Sequence, residues 1–225
     1  MRILAVLALL VLVACIPQTA KEQQGLEQTP GTVVFAIAGT EKPISGLQSM
    51  NITLESIIVR GANETRVLIN KTVDLFVLEK KGFSFLETTR LWNGTYTNLT
   101  LVFESASVNG TNAFLPARTM DMSVRVDVFS GETATLVFDV LAKKSMHQTI
   151  DGQYVFAPAI RVVSRKKVGR VSVYDNVVRV YRGEQSDARE YGMLASGNIV
   201  EGKQIDQQEK LQLINGTLVN TGGSS

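Results

Sequence analysis

The chain has 225 residues, of which 44% are hydrophobic and 20% charged, so it is long enough for one sizeable core or two small domains. Its 23 basic and 21 acidic residues nearly balance, which excludes the strongly basic surface of a nucleic-acid-binding protein. Its single cysteine, Cys15, excludes an internal disulfide bond, so stability must come from packing.

The first segment in chain order has the pattern of an export signal. A charged N-terminus precedes an apolar run over residues 3–13, which is shorter than the roughly 20 residues of a membrane-spanning helix. The run leads into Leu12-Val13-Ala14-Cys15, which matches the lipobox of prokaryotic lipoproteins. We therefore expect residues 1–14 to be a signal peptide and Cys15 to carry the membrane lipid. Residues 15–30 are polar and Gln-rich, which predicts a flexible tether.

Residues 31–167 are dominated by short runs of Val, Ile, Thr and Phe that are separated by Asn-Gly, Gly and Pro. Apolar and polar side chains alternate most clearly in Met120–Phe129, as in a strand with one buried face. Many short strands without a long helical period predict an all-β fold, an antiparallel β-sandwich. Pro158 favours an edge strand or a bulge. The predicted strands cover residues 32–37, 52–59, 66–70, 73–79, 96–105, 120–129, 133–140 and 154–163.

Residues 168–225 differ in character and are predicted to form a C-terminal extension of uncertain order. Within them, Val171–Tyr174 and Val177–Tyr181 predict one further hairpin. Gln204–Leu213 predicts a short amphipathic helix.

Several motifs follow one another in a characteristic order: Gly31-Thr-Val-Val-Phe35, Met50-Asn-Ile-Thr-Leu-Glu-Ser-Ile57, Leu91-Trp-Asn-Gly-Thr-Tyr-Thr97 and Ala157-Pro-Ala-Ile-Arg161. In this order, over residues 31–164, the chain resembles DUF4382, a family of prokaryotic exported domains of unknown function found mostly in archaeal and bacterial lipoproteins. The resemblance implies a prealbumin-like or immunoglobulin-like sandwich, favours an archaeal source and implies no activity.

Seven of the eleven asparagines occupy Asn-x-Ser/Thr sequons, which in an exported protein predicts N-glycosylation. The alternative is that Thr-rich strands joined by Asn-Gly turns produce the same pattern for structural reasons. The candidate acceptors are Asn51, Asn63, Asn70, Asn93, Asn98, Asn109 and Asn215.

Acidic side chains provide the only candidates for catalysis or ligand binding. Asp74 interrupts an apolar run, so we expect it to cap a turn or to pair with a cation, and it is a candidate ligand or structural acid. Four acids are predicted on polar strand faces, where they would be solubilising charges or, alternatively, a carboxylate pair for glycoside hydrolysis. These are Glu104, Asp121, Asp127 and Asp139.

No cofactor and no metal are expected, since the sole histidine, His147, excludes a His-rich metal site. Calcium held by loop acids remains the alternative. The basic run Arg161–Arg170 predicts a solvated strand end, with contact to anionic lipid headgroups as the alternative. Five aromatic residues are predicted to lie in the core, with Trp92 and Tyr96 as an alternative platform for stacking on sugars. They are Phe83, Phe85, Trp92, Tyr96 and Phe114.

These features predict a membrane-anchored extracytoplasmic lipoprotein whose sandwich serves non-enzymatic binding, adhesion or envelope scaffolding. The expected partners are membrane lipid through Cys15 and surface glycans or envelope proteins. The alternative is a carbohydrate-acting enzyme or its accessory carbohydrate-binding module.

Overall fold

The computed structural model describes residues 29–40 and 46–222. Cys15, the predicted signal peptide and most of the predicted tether lie outside these residues. The described chain is mostly strand with two short helices, α1 and α2, so the all-β prediction is confirmed. The elements are β1 (Gly31–Thr40), β2 (Met50–Arg60), β3 (Glu64–Asp74), α1 (Leu75–Lys81), β4 (Phe83–Leu91), β5 (Gly94–Val108), β6 (Thr111–Asn112), β7 (Thr119–Val128), β8 (Thr133–Leu141), α2 (Ala142–Ser145), β9 (Met146–Gln148), β10 (Tyr154–Phe156), β11 (Ala159–Lys166), β12 (Arg170–Tyr174), β13 (Val177–Tyr181), β14 (Glu184–Met193), β15 (Ile199–Glu201), β16 (Leu211–Ile214) and β17 (Thr217–Asn220).

Two main sheets pack around one shared core. The larger sheet has the strand order β12-β13-β4-β1-β8-β11-β14-β15, and its pairs are antiparallel except for β1 and β8, which are parallel. In the smaller sheet, β2 lies between β3 and β5, and both β6 and β7 pair with the other side of β5. The hairpins β9–β10 and β16–β17 form two further small sheets.

Strand alternation explains how each sheet contributes to the core. Val33, Phe35 and Ile37 of β1 are buried in it at every second position. Strand β7 alternates as predicted, with buried side chains at even positions from Met120 to Val128. Because residues of both sheets and of β14 belong to the same buried cluster, the two layers and the C-terminal strands share one core.

Strands β12 and β13 form an arm that continues the ribbon made by β11 and β14. Lys166 pairs with Glu184, and Arg170 pairs with Tyr181 directly beyond it. Residues 182–183 connect β13 to β14 and reach about 10 Å at most. Passing from β13 to β14 within the sheet plane would require five strand spacings, or about 24 Å.

The arm must therefore cross the outer face of the larger sheet to reach β4. Its apolar side covers that face, where Val178 is buried in a small cluster with Ala36 and Val137. The side chains of Val171 and Val180 pack against the same cluster.

The segment after β3 differs from the prediction. Residues 73–79 were expected to be a strand, but a helix, α1, begins at Leu75. Asp74 is its N-cap, and Gly82 ends the helix with a φ of 88°. The short helix lies within an apolar run, so its composition resembled that of a strand.

The predicted helix over Gln204–Leu213 is wrong. Leu211–Ile214 is a strand that pairs with Thr217–Asn220 across a tight turn. Asn215 and Gly216 both have positive φ, at 51° and 77°, which is the geometry of a two-residue hairpin turn.

Pro158 divides the predicted strand over residues 154–163 into β10 and β11. Its carbonyl accepts a hydrogen bond from the backbone nitrogen of Met193. The expectation of an edge strand is not met, since β11 lies between β8 and β14 and Pro158 falls just outside it.

Candidate functional site

Asp74 is engaged at the start of α1. Its Oδ1 accepts a hydrogen bond of 2.9 Å from the backbone nitrogen of Phe76 and lies 3.5 Å from that of Met50. The side chain thus supplies an acceptor to one of the free N–H groups of the first helical turn. Of the two roles expected for Asp74, the structure shows the cap.

A shallow cavity of about 190 Å³ lies beside Asp74, between α1 and the tip of the arm. The ammonium of Lys71 donates to the carbonyl of Phe85 at 2.5 Å and to Oδ1 of Asn176 at 2.7 Å. Burial lowers the pKa of Lys71, although Glu87 acts in the opposite direction. Phe85 lies on β4, and Asn176 lies in the turn between β12 and β13. Lys71 therefore ties the tip of the arm to the sandwich.

Six of the seven sequon asparagines are exposed, and Asn51 is half-buried in β2. The threonines that complete these sequons differ more in their exposure to solvent. Thr100, in the Asn98 sequon, is 3% exposed and donates to Asp121, and it also accepts a hydrogen bond from Arg60 at 2.6 Å. An enzyme that reads both the amide and the hydroxyl of a folded chain cannot reach that hydroxyl.

Two sequons present both groups in tight turns. Asn109 and Asn215 are exposed, both have positive φ, and each precedes a glycine. Thr111 and Thr217, which complete these sequons, are also exposed. Oδ1 of Asn109 accepts from the backbone nitrogens of residues 48 and 49, at 2.7 and 3.1 Å, so its amide nitrogen is left for modification.

The four candidate catalytic acids are not brought together as a pair. Asp121 and Asp127 lie six positions apart on β7, or about 20 Å along the strand. Glu104 is exposed on β5, four positions from the partner of Asp121, and Asp139 is on β8 in the other sheet. Asp121 is exposed and bonded to Thr100, with Arg60 at 3.6 Å.

Asp127 was predicted to be exposed, but it is buried beneath two cationic side chains, those of Arg125 and Lys166. Burial opposes its ionisation, but hydrogen bonds from Arg125 and Thr95 outweigh that effect, so the pKa of Asp127 lies below its ordinary value. Arg125 Nε lies 2.9 Å from Oδ1, and Lys166 Nζ lies 3.7 Å from Oδ2. The sequence alternation had placed this acid on a solvated face.

The five aromatic residues were predicted to be core, and the structure corrects this for Trp92 and Phe83, whereas Tyr96 lies in the core and Phe85 and Phe114 pack against buried clusters. Tyr96 is 6% exposed and its hydroxyl donates to the carbonyl of Trp92, whereas the Trp92 ring is 56% exposed. Phe83 is also exposed, and the two remaining rings are half-buried. Both residues line a cavity of about 380 Å³, but only the Trp92 side chain is exposed enough to offer a stacking face there.

His147 is buried on β9. Its Nε2 lies 3.1 Å from the carbonyl of Lys144, which can only accept, so Nε2 carries the proton. Its Nδ1 lies 3.3 Å from the side-chain amide of Gln207. Burial lowers the pKa of His147 to about 4, although the hydrogen bond to the Lys144 carbonyl acts in the opposite direction, so the ring is neutral at pH 7.

The described chain enters the sandwich at one end, which we call the entry end. The carbonyl of Pro30 accepts a hydrogen bond from the backbone nitrogen of Gly131 in the β7–β8 turn. Gly31 pairs with Leu91 at the end of β4, next to Trp92. Strand β11 also ends here, since Arg165 pairs with Thr135 near the start of β8.

Exposed rings and cations gather at the entry end. Phe129 lies beside Gly31, and the ammonium of Lys167 lies 5.3 Å from the Phe129 ring centroid. Where the arm begins, the Arg170 guanidinium lies 5.8 Å from the Tyr181 ring centroid. The sequence indicated only the run over residues 161–170. The pairing of β12 with β13 brings residues 181 and 182 next to this run. The two short strand patterns were the sequence feature that could have shown it.

Among residues 29–40 and 46–222, no group of three or more His, Cys, Asp or Glu is placed to hold a metal ion. Neither helix of this part of the chain has the length and hydropathy needed to cross a membrane.

Comparison with known proteins identifies one family. Residues 31–158, more than half of the chain, match the family described as Domain of unknown function (DUF4382). No curated protein and no solved structure matches the chain. The matched range extends from β1 through β10, and β11 begins directly after it. The chain therefore belongs to the DUF4382 family.

Proposed function

We propose that this protein is a lipoprotein anchored through Cys15 to the extracytoplasmic face of the cell membrane, where its β-sandwich binds or scaffolds without catalysing a reaction. The observation that carries the proposal is the leader that ends in Leu12-Val13-Ala14-Cys15, followed within about 15 residues by a folded β-domain. One acyl chain holds a protein to a bilayer only marginally, so Cys15 is expected to carry at least two chains.

Replacing the anchoring thiol tests the proposal. The native protein is expected to remain with membranes in 1 M salt and to have a mass that corresponds to a lipidated N-terminal Cys15. Cys15→Ser is expected to retain its leader and to lack the lipid mass. Thr19→Ser, a similar change four residues downstream, is expected to behave as the native protein does. An unlipidated native protein would refute the anchor.

We also propose N-glycans at Asn109 and Asn215. Their support is the exposure of both the amide and the hydroxyl in two turns remote from the entry end. Sugars there would keep that end of the domain solvated. The resemblance to domains found in archaeal lipoproteins, together with the density of sequons, is the reason for proposing an archaeal host. Mass spectrometry of tryptic peptides from the native protein is expected to find sugar on both residues, and two bare peptides would contradict the proposal.

A non-catalytic role is supported by the state of the candidate acids. Asp127 is held by Arg125, and Asp121 faces Arg60 and Thr100, so both carboxylates already have partners. A glycoside hydrolase of the usual retaining or inverting kind would need two carboxylates about 5–10 Å apart.

A carbohydrate-binding module is the second candidate function. One observation favours it: the exposed Trp92 ring borders a cavity that is also lined by Asn63 and Asn93. Binding to a glycan array that Trp92→Ala abolishes would support this candidate over a scaffold. Binding that survives Trp92→Ala would exclude this cavity as the sugar site.

A further inference from the structure

We propose that the entry end docks directly on the anionic headgroups of the membrane, so that the domain lies against the bilayer in one orientation. This inference rests on the proposed anchoring of Cys15. The docking surface is made of three rings and three cations: Trp92, Phe129, Tyr181, Lys167, Arg170 and Arg182.

The position of Pro30 brings this surface toward the membrane. Pro30 is held in the β7–β8 turn by Gly131, and the Phe129 carbonyl lies beside Gly31. The chain between Cys15 and Pro30 reaches about 50 Å at most. A lipid on Cys15 therefore keeps the entry end within about 50 Å of the headgroups, and this is the end from which the chain leads back to the bilayer. The orientation itself must come from the charges and rings of the surface.

The charges of the surface fit an anionic partner. Within the described part of the chain, Lys167, Arg170 and Arg182 form no ion pair. The neighbouring carboxylates of Asp127 and Glu184 are already next to Lys166, at 3.7 and 3.9 Å. Glu132, in the β7–β8 turn, is a further exposed acid at this end and forms no ion pair within the described residues. The three cations outnumber this acid, and basic groups near an anionic leaflet are attracted to it.

The rings suit the interface between headgroups and acyl chains. Trp92, Phe129 and Tyr181 are 56%, 36% and 44% exposed, although large aromatic side chains gain by leaving water. Trp and Tyr concentrate at the level of the headgroups in membrane proteins, because one part of each ring is apolar and another forms hydrogen bonds. Cations stacked on two of these rings enter the same layer with them.

Two sequons lie at the same end, and docking makes a prediction about them. Asn63 and Asn93 line the cavity next to Trp92. A glycan on Asn93 would stand between Trp92 and the bilayer. Both residues are therefore expected to be bare in the native protein, and sugar on Asn93 would contradict docking.

The single tryptophan of the chain provides a direct assay, since Trp92 belongs to the docking surface. The full-length protein is reconstituted from its native host into phosphatidylcholine vesicles with or without 30% phosphatidylglycerol, with bromine on a fraction of the acyl chains. We expect Trp92 fluorescence to be quenched and blue-shifted in the anionic vesicles and to remain near its detergent value in the neutral ones.

Charge reversal tests whether the named cations cause the docking. The triple variant Lys167→Glu, Arg170→Glu and Arg182→Glu is expected to reduce quenching to the level found in neutral vesicles. The matched control reverses three exposed lysines remote from the entry end: Lys143, Lys203 and Lys210. This control is expected to keep the quenching of the native protein.

A salt titration of the native protein gives a test that does not depend on any variant folding. Quenching is expected to disappear between 0.1 and 1 M salt, because the screening length falls from about 10 to about 3 Å. Vesicle flotation in 1 M salt reports the anchor separately. Trp92 that stays unquenched in anionic vesicles at 0.1 M salt, in a protein that floats in 1 M salt, would overturn docking alone. Failure to float in 1 M salt would refute the anchor.

Discussion

Asn109 shows how one residue can serve both the fold and a modification. Its φ of 49° places it in the left-handed region, which asparagine tolerates better than most residues. Its Oδ1 accepts hydrogen bonds from residues 48 and 49, and thereby joins the β5–β6 turn to the segment before β2. A substitution that removes the sequon can therefore also weaken the protein.

Two substitutions at Asn109 separate these roles. Asn109→Asp keeps an acceptor oxygen and short side chain, so we expect the free energy of unfolding to change little. Asn109→Gln is expected to lower it by about 1–2 kcal/mol, because a longer side chain is strained at positive φ and loses the local hydrogen bonds. Chemical denaturation of unglycosylated protein measures both values.

The same pair of variants, made in the native host, reports on glycosylation. Both substitutions remove the sequon, so both are expected to remove the same sugar mass whatever their stability. Equal loss of stability in the two variants would show that the acceptor oxygen of Asn109 contributes nothing.

His147 makes stability depend on pH in one direction. Burial lowers its pKa to about 4 in the folded protein, against about 6.5 in the unfolded chain. Between these values the unfolded chain binds a proton that the folded protein excludes. The contribution of His147 is therefore complete above pH 6.5 and is lost as the pH falls toward 4.

The expected loss across this range is about 3 kcal/mol in the free energy of unfolding. Other groups also titrate there, so His147→Gln is needed as the reference. The difference between the native protein and His147→Gln should shrink from pH 7 to pH 4 when measured by denaturant unfolding. A constant difference would show that His147 is not kept neutral by burial.

Helix α1 is an element whose start depends on one side chain. Asp74 accepts a hydrogen bond from the backbone nitrogen of Phe76, and Leu75 and Leu78 are buried in the core beneath the helix. Asp74→Ala is expected to destabilise the protein by about 1 kcal/mol, the usual value of an N-cap. Asp74→Asn retains the acceptor oxygen and is expected to cost much less. A thermal melt compares the two, and equal losses would show that the cap is not the cause.

The elements also show what local pattern can predict. Strand β7 was predicted because its partners bury every second side chain, so the period of two is visible in the sequence. Strand β4 was missed because Thr88, Thr89 and Arg90 at its polar end hide the alternation. Helix α1 was missed because its first four residues, 75–78, have the apolar composition of a strand.

The candidate site was less predictable than the fold, since it depends on contacts between distant segments. Asp127 lies at a polar position of the alternating pattern, yet Arg125 and Lys166 cover it from two strands. Tyr181 and Arg170 are brought together only by the β12–β13 pairing. The basic run was visible in the sequence, whereas the rings that accompany it were not.

At the scale of the whole molecule, the larger sheet is completed by strands from the C-terminal part of the chain. Strand β14 pairs with β11 along most of its length. Tyr191 is buried in the shared core, and its hydroxyl donates to the carbonyl of Ser123 on β7 at 2.5 Å. Asp187 accepts a hydrogen bond of 3.0 Å from the backbone nitrogen of Arg125. The C-terminal strands thus join both sheets.

This arrangement predicts that residues 31–167 do not fold without the strands that follow. Removing β14 exposes the edge of β11 and takes two core side chains, Tyr191 and Met193, each of which contributes about 1.5–3 kcal/mol. The sum is comparable with the about 5–15 kcal/mol that stabilises a whole domain. A chain truncated after Lys167 is therefore expected to show no cooperative thermal transition.

A chain truncated after Gly202 keeps β14 and β15, so it is expected to melt cooperatively at a lower temperature than the full-length chain. A sharp thermal transition in the chain truncated after Lys167 would show that residues 31–167 form a complete core without the C-terminal strands.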